Sequence, residues 1–234
     1  MRLARRHGTT LLALGLLVGL VAAFAHTERL KLERPPVGGT RFDRWLSPTC
    51  DCPGKTARLS FVLREAERID VVVVAGDERV RVLASGLARP TGRVAFRWDG
   101  RDESGRVAPD GPYRLRVRLR DERRTIVIPT TVNVDTKPPR VLLRSVEPTF
   151  LTPGAELVLR YRAREPGTPV VLVDGELAGR GELQRAGART LTWQELGDGM
   201  PLAPGTHSVA LAVEDRAGNV SEPTEPVTIV VAER

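Results

Sequence analysis

From Ala57 onward, apolar and polar side chains alternate with a period of two along much of the chain, the pattern a half-buried β-strand requires. Leu59, Phe61 and Leu63 alternate with Arg58, Ser60 and Arg64. Val94, Phe96 and Trp98 alternate with Arg93, Ala95 and Arg97, and Tyr113, Leu115, Val117 and Leu119 with Arg114, Arg116, Arg118 and Arg120. Ile69 to Val74 is a short β-branched run. Residues 125–134 close the set, with Pro129 pointing to an edge or a bulge. Helical spacing is not sustained over three turns anywhere in this part. Short strands separated by turn signals predict an all-β sandwich.

The pattern then stops and restarts. Asp135-Thr136-Lys137-Pro138-Pro139 stiffens the chain and ends strand pairing, as a Pro-Pro pair does. Beyond it Leu157, Leu159 and Tyr161 alternate with Glu156, Arg160 and Arg162. Val170 to Val173, Leu191 with Trp193, Val209 to Val213, and Val227 to Val231 follow. Trp98 and Trp193 occupy matching places, each followed 11 residues later by a proline (Pro109, Pro204) and then by a glycine turn. A period of about 95 residues indicates a duplicated domain, since solenoid units run to roughly 20–50. The predicted boundaries are a spacer over 26–47, a first domain over 48–136 and a second over 137–234. The two tryptophans are the predicted core anchors, and Asp99, Gly100, Gly105 and Gly111 form a predicted hairpin turn.

The N-terminus obeys a different rule. Arg2, Arg5 and Arg6 precede an uncharged apolar run from Leu11 to Ala25, and a basic flank before such a run directs the C-terminal side out of the cytoplasm. Counted with Thr9 and Thr10, the run is 17 residues. As a helix it would reach roughly 25 Å, against a hydrocarbon core of about 30 Å. Ala23-Phe24-Ala25 also fits a small-x-small cleavage site. Residues 1–25 are therefore read as a signal peptide or a signal-anchor helix, both open. Localisation follows: a single-pass membrane protein with its C-terminal part outside, or a secreted one cut near Ala25.

Charge and chemistry narrow the function classes. The formal charge is +7, and 33 of the 36 basic residues are arginine, a bias that points to a GC-rich bacterial genome. Arginines interspersed with acids on strand faces argue against nucleic-acid recognition, whose footprint is a basic stripe; the one candidate stripe, on the 114–120 strand, is read as a solvated face. Of the three histidines, only His207 lies in a predicted domain, and no zinc spacing, phosphate loop or nucleophile elbow accompanies it. It is read as structural. No enzyme activity, catalytic residue, cofactor or metal is expected. Asp99, Asp102, Glu103 and Asp110 suit turn chemistry better than a calcium loop. Cys50 and Cys52, flanked by Pro48 and Pro53, allow a local disulfide with a turn at Asp51, a bond to another chain, or free thiols and metal binding.

Trp98-Asp99-Gly100-Arg101-Asp102, Gly105-Arg106-Val107, Pro109-Asp110-Gly111 and Tyr113-Arg114-Leu115 together resemble the Ig-like domain of the flagellar hook-capping protein family. The second half resembles generic bacterial Ig-like repeats, through Asp135 to Pro139 at its start and Glu214-Asp215-Arg216-Ala217-Gly218-Asn219 near its end. The resemblance implies two tandem immunoglobulin-like β-sandwich domains after the N-terminal segment. The expected function is a non-catalytic structural or interaction protein at the bacterial cell surface. The alternatives are a module binding wall glycan or another anionic polymer, or a domain pair accessory to a separate enzyme. The expected partner is an unknown protein or a cell-wall polymer, with the membrane added if the N-terminal segment is uncleaved, and no nucleic acid.

Overall fold

The computed structural model describes residues 15–21, 24, 35–152, 155–196 and 202–233. The segment read as a signal or anchor lies largely outside these. Residues 15–21 are helical, and among the described residues no helix is long and apolar enough to cross a membrane.

The rest is all-β. Eight strands make the first unit: β1 (Val37–Phe42), β2 (Trp45–Leu46), β3 (Ala57–Leu63), β4 (Glu67–Ala75), β5 (Glu78–Arg89), β6 (Gly92–Trp98), β7 (Gly111–Leu119) and β8 (Arg124–Val134). Eight more make the second: β9 (Val141–Glu147), β10 (Phe150–Leu151), β11 (Val158–Ala163), β12 (Thr168–Val173), β13 (Glu176–Arg180), β14 (Gly187–Thr192), β15 (Gly205–Glu214) and β16 (Val227–Val231). The first unit pairs β1-β3-β6 in one sheet and β2-β8-β7-β4-β5 in the other. The second pairs β9-β11-β14 and β10-β16-β15-β12-β13. Adding eight to each strand number converts one order into the other, down to the parallel contacts of β2 with β8 and of β10 with β16. The duplication is thus visible in topology as well as in sequence.

Each core is the inward set of the period-two pattern. Leu59, Phe61, Leu63, Leu115, Val117 and Leu119 are buried in the first unit; Leu159, Tyr161, Val209, Leu211 and Val213 are buried in the second. The register of β7 against β8 slips between Arg114, opposite Thr131, and Arg116, opposite Val127. Pro129 sits in that bulge, where its missing N–H breaks no ladder bond.

The spacer expected over 26–47 is corrected from Val37 onward. Residues 37–46 form β1 and β2, pair with β3 and β8, and bury Val37 and Leu46 in the first core. Gly38-Gly39, which looks like a break, is absorbed as a register shift between Gly38 and Arg41. Strands β5, β9 and β13 also escape the alternation. They are edge strands, and β5 is half-exposed along most of its length, so no face of it is cleanly apolar.

Candidate functional site

Between β2 and β3 the chain makes a tight loop, closed by a disulfide between Cys50 and Cys52 with Cα atoms 5.3 Å apart. The bond lies inside the first domain, after its second strand, rather than where a spacer meets a domain. Pro53 starts a single 3-10 turn, Pro53–Lys55, and the Ser47 N–H donates to the Gly54 carbonyl at 3.1 Å. On one side the loop packs against the hairpin turn of the first domain. Gly100 has φ +70, and a Cβ there would run into the ring of Pro48, so both backbone shape and closeness require glycine.

On its other side the loop meets the second domain. The Asp215–Asn219 turn is built by one carboxylate: Asp215 Oδ1 accepts from the N–H of Ala217 at 2.7 Å and of Asn219 at 2.9 Å. That holds the Asn219 side chain, 5% exposed, against the first domain. The Ser47 hydroxyl, fully buried, donates to Asn219 Oδ1 at 2.5 Å. Asn219 Nδ2 donates to the Asp135 carbonyl at 3.0 Å and to Asp215 Oδ2 at 2.8 Å. The Asp135 N–H in turn donates to the Leu46 carbonyl at 3.0 Å. One asparagine therefore bonds the loop, the linker and its own turn. Gly218, at φ +93, lies so close to the Cys52 sulfur that a Cβ there would collide with it, and a Cβ at Gly54 would meet the Ala217 carbonyl at 2.5 Å. The domains touch through backbone and sulfur, with no room for larger side chains. Beside this joint, burial and the nearby charges of Asp135 and Asp215 raise the Glu165 carboxyl above its ordinary value.

The other predicted site residues separate into two groups. Trp98 is 1% exposed, its indole N–H donates to the Arg101 carbonyl at 2.9 Å, and its ring lies 4.9 Å from that of Tyr113. Trp193 is only partly buried against its core. It falls one residue beyond β14, in the 3-10 turn Trp193–Glu195. The reason lies across the sheet. Trp98 faces Ala57, whereas the Trp193 N–H donates to the carbonyl of Leu157, whose side chain fills the space itself at 1% exposure. Leu196 completes that core.

The hairpin acids are engaged as turn-formers. Asp99 accepts from the Arg101 N–H. Asp102 accepts from the N–H groups of Ser104 and Arg106 and from the Ser104 hydroxyl, contacts that lower its carboxyl below the ordinary value, the hydroxyl bond foremost. Gly105 and Gly111 lie in the turn and at the start of β7. Asp110 accepts from Thr136 and pairs with Lys137 at 3.0 Å. Among the described residues, no group of three or more His, Cys, Asp or Glu is placed to hold a metal ion.

His207 takes a place that sequence reasoning missed. The Tyr113 hydroxyl donates to the Pro109 carbonyl four residues back, at 2.6 Å, a corner typical of such sandwiches. His207, opposite Ile229 as Tyr113 is opposite Val132, puts Nε2 2.9 Å from the Ala203 carbonyl, also four residues back. Its Nδ1 lies 2.7 Å from Asp174 Oδ2. Two acceptors on two ring nitrogens favour the doubly protonated ring, and the Asp174 bond first, then the Ala203 bond, raises its pKa. Ser208 bonds the same carboxylate but does not stand at Nε2. A nucleophile relay needs the hydroxyl there, so this trio fixes a corner. The matched offset from Trp193 to Pro204 was the available signal, obscured by a one-residue deletion in the turn.

With this geometry in hand, comparison with known proteins adds the following. No curated protein matches the chain. Among solved structures, the fibronectin(III)-like modules of Clostridium thermocellum CbhA are similar at 20% identity over 84% of this chain and 91% of theirs, with a TM-score of 0.43. The human OSCAR ligand-binding domain is similar at 18% identity over 79% and 93%, with a TM-score of 0.33. Residues 55–122 match the model of the FlgD Ig-like domain family. The first sandwich is similar to that domain over these residues, and the second repeats its strand order.

Proposed function

We propose that the protein is a non-catalytic, extracytoplasmic spacer that holds two Ig-like domains in one fixed relative orientation and presents their faces to a partner at the bacterial surface. The observation that carries this reading is the joint. Asn219, Ser47 and the Asp135 backbone form a buried hydrogen-bond set between the domains, and the Cys50–Cys52 loop is clamped between two glycine turns. Domains joined by a free linker need no such set; inter-domain motion is the default without one. The arginine-flanked apolar run supports an outside location for both domains. Leu16, Leu17 and Leu20, all strongly exposed on the described helical stretch, support membrane engagement of that segment.

External protease applied to intact spheroplasts tests place and joint together. Both domains should leave as one fragment, uncut at the connection between Asp135 and Arg140. Protection of the whole chain would contradict the location, and early release of two separate domains would contradict the joint.

A further inference from the structure

The outer face of the three-stranded β9-β11-β14 sheet carries an open trough of about 860 Å³, lined by Arg140, Arg144, Arg162 and Arg164 over a floor that includes Leu142 and Ala163. All four arginines are exposed, and no carboxylate lines the trough. Among the described residues none of the four forms a salt bridge. The fold gathers them: Arg162 lies opposite Leu142, and the Arg164 N–H donates to the Arg140 carbonyl at 3.0 Å. Arg162 lies on β11 and Arg164 one residue beyond its end. At the far end Arg160 is taken by Glu147 at 2.6 Å, which closes the unpaired row.

The corresponding face of the first domain is an internal control. Arg41, Arg58, Arg93 and Arg97 line a trough of about 630 Å³ there, but Asp43 lies within it. Asp43 bonds the Arg58 backbone at 2.9 Å and its Nε at 3.3 Å. Arg93 donates to the Gly39 carbonyl and the Ser60 hydroxyl. The same sheet is equally rich in arginine in both domains, yet an acid lies only in the first trough, where it takes up Arg58 while Arg93 is held by neutral acceptors.

We infer that the second-domain trough binds a linear phosphodiester polymer of the polyol-phosphate type. Guanidinium groups suit phosphate oxygens through paired N–H bonds. The trough is open, so a lone phosphate would stay hydrated, whereas a chain of phosphates gains by releasing counterions at several contacts. A bilayer surface cannot follow a concave face. No aromatic side chain lines the trough, so bases of a single-stranded nucleic acid would find no stacking platform. This inference does not depend on a rigid joint between the domains.

Fluorescence anisotropy of the full chain with labelled synthetic poly(glycerol phosphate) tests it. Four phosphate contacts predict a slope of about −3 in log affinity against log salt. The double substitution Arg144→Gln with Arg162→Gln should roughly halve that slope and weaken binding at least tenfold at about 50 mM salt. Arg93→Gln with Arg97→Gln should change affinity less than twofold. Single Arg164→Gln repeats the test if the double variant melts early. Absence of binding at low salt would overturn the inference. So would equal losses from both faces, or binding to vesicles of 30% phosphatidylglycerol in phosphatidylcholine without binding to the polymer.

Discussion

The two domains share a strand order and differ in what fills it. The first closes its core with Trp98 over a small Ala57 and locks its corner with Tyr113; the second puts Leu157 under Trp193 and locks its corner with His207. The same topology therefore accepts either member of a volume pair across one register position. It also accepts either a phenol or an imidazole at one corner. What the comparison teaches is that a repeat read from matched positions preserves geometry more faithfully than burial.

The largest expected difference is at the tryptophans. Trp98→Ala should cost about 3–5 kcal/mol, as for other fully buried aromatics, and Trp193→Ala about 1–2 kcal/mol, because less surface returns to water. Calorimetry that resolves the two domains would break the comparison if the losses were equal. At the corners, Tyr113→Phe should cost about 1 kcal/mol through one lost hydrogen bond, with the loss confined to the first domain's transition.

The corner difference sharpens with pH. The His207 pKa is raised above its ordinary value of roughly 6.5. Its contribution is therefore fully present below about pH 6.5 and is lost as pH rises through the folded value. The Asp174 pKa is lowered below its ordinary value, first by the His207 bond. Its contribution is present above roughly pH 4 and lost as pH falls through the folded value. The second domain should be relatively most stable between those limits and lose melting temperature as pH rises above about 6.5, while the first, with a buried tyrosine raised further from that range, should not share the loss. Asp174→Asn should flatten the second-domain profile; an unchanged profile would remove His207 from the account.

Much of this architecture is legible in the sequence because strands with one wet face must alternate. The inner positions of β3, β7, β11 and β15 follow directly from that rule. What escapes obeys other physics. Edge strands such as β5 and β13 pair on one side only and lack a clean apolar face. The Gly38-Gly39 stretch looks like a breaker and serves as a bulge. The joint could not be read at all, since Ser47 and Asn219 stand 172 positions apart and neither has a local pattern that announces a partner. Cys50 and Cys52 were visible as a pair, but their contact with Gly218 depends on how the domains dock.

The smallest effect on melting should come from the disulfide. Reduction should shift either transition by little, because so short a loop constrains the unfolded chain only slightly. Its consequence should appear in domain orientation instead. Backbone ¹⁵N relaxation of the two domains in the full chain measures that most directly. The account predicts one common rotational diffusion tensor in the oxidised protein, and two separable ones after Asn219→Ala or Gly218→Val. Independent tumbling of the domains in the unmodified, oxidised chain would contradict the fixed joint on which the proposed function rests.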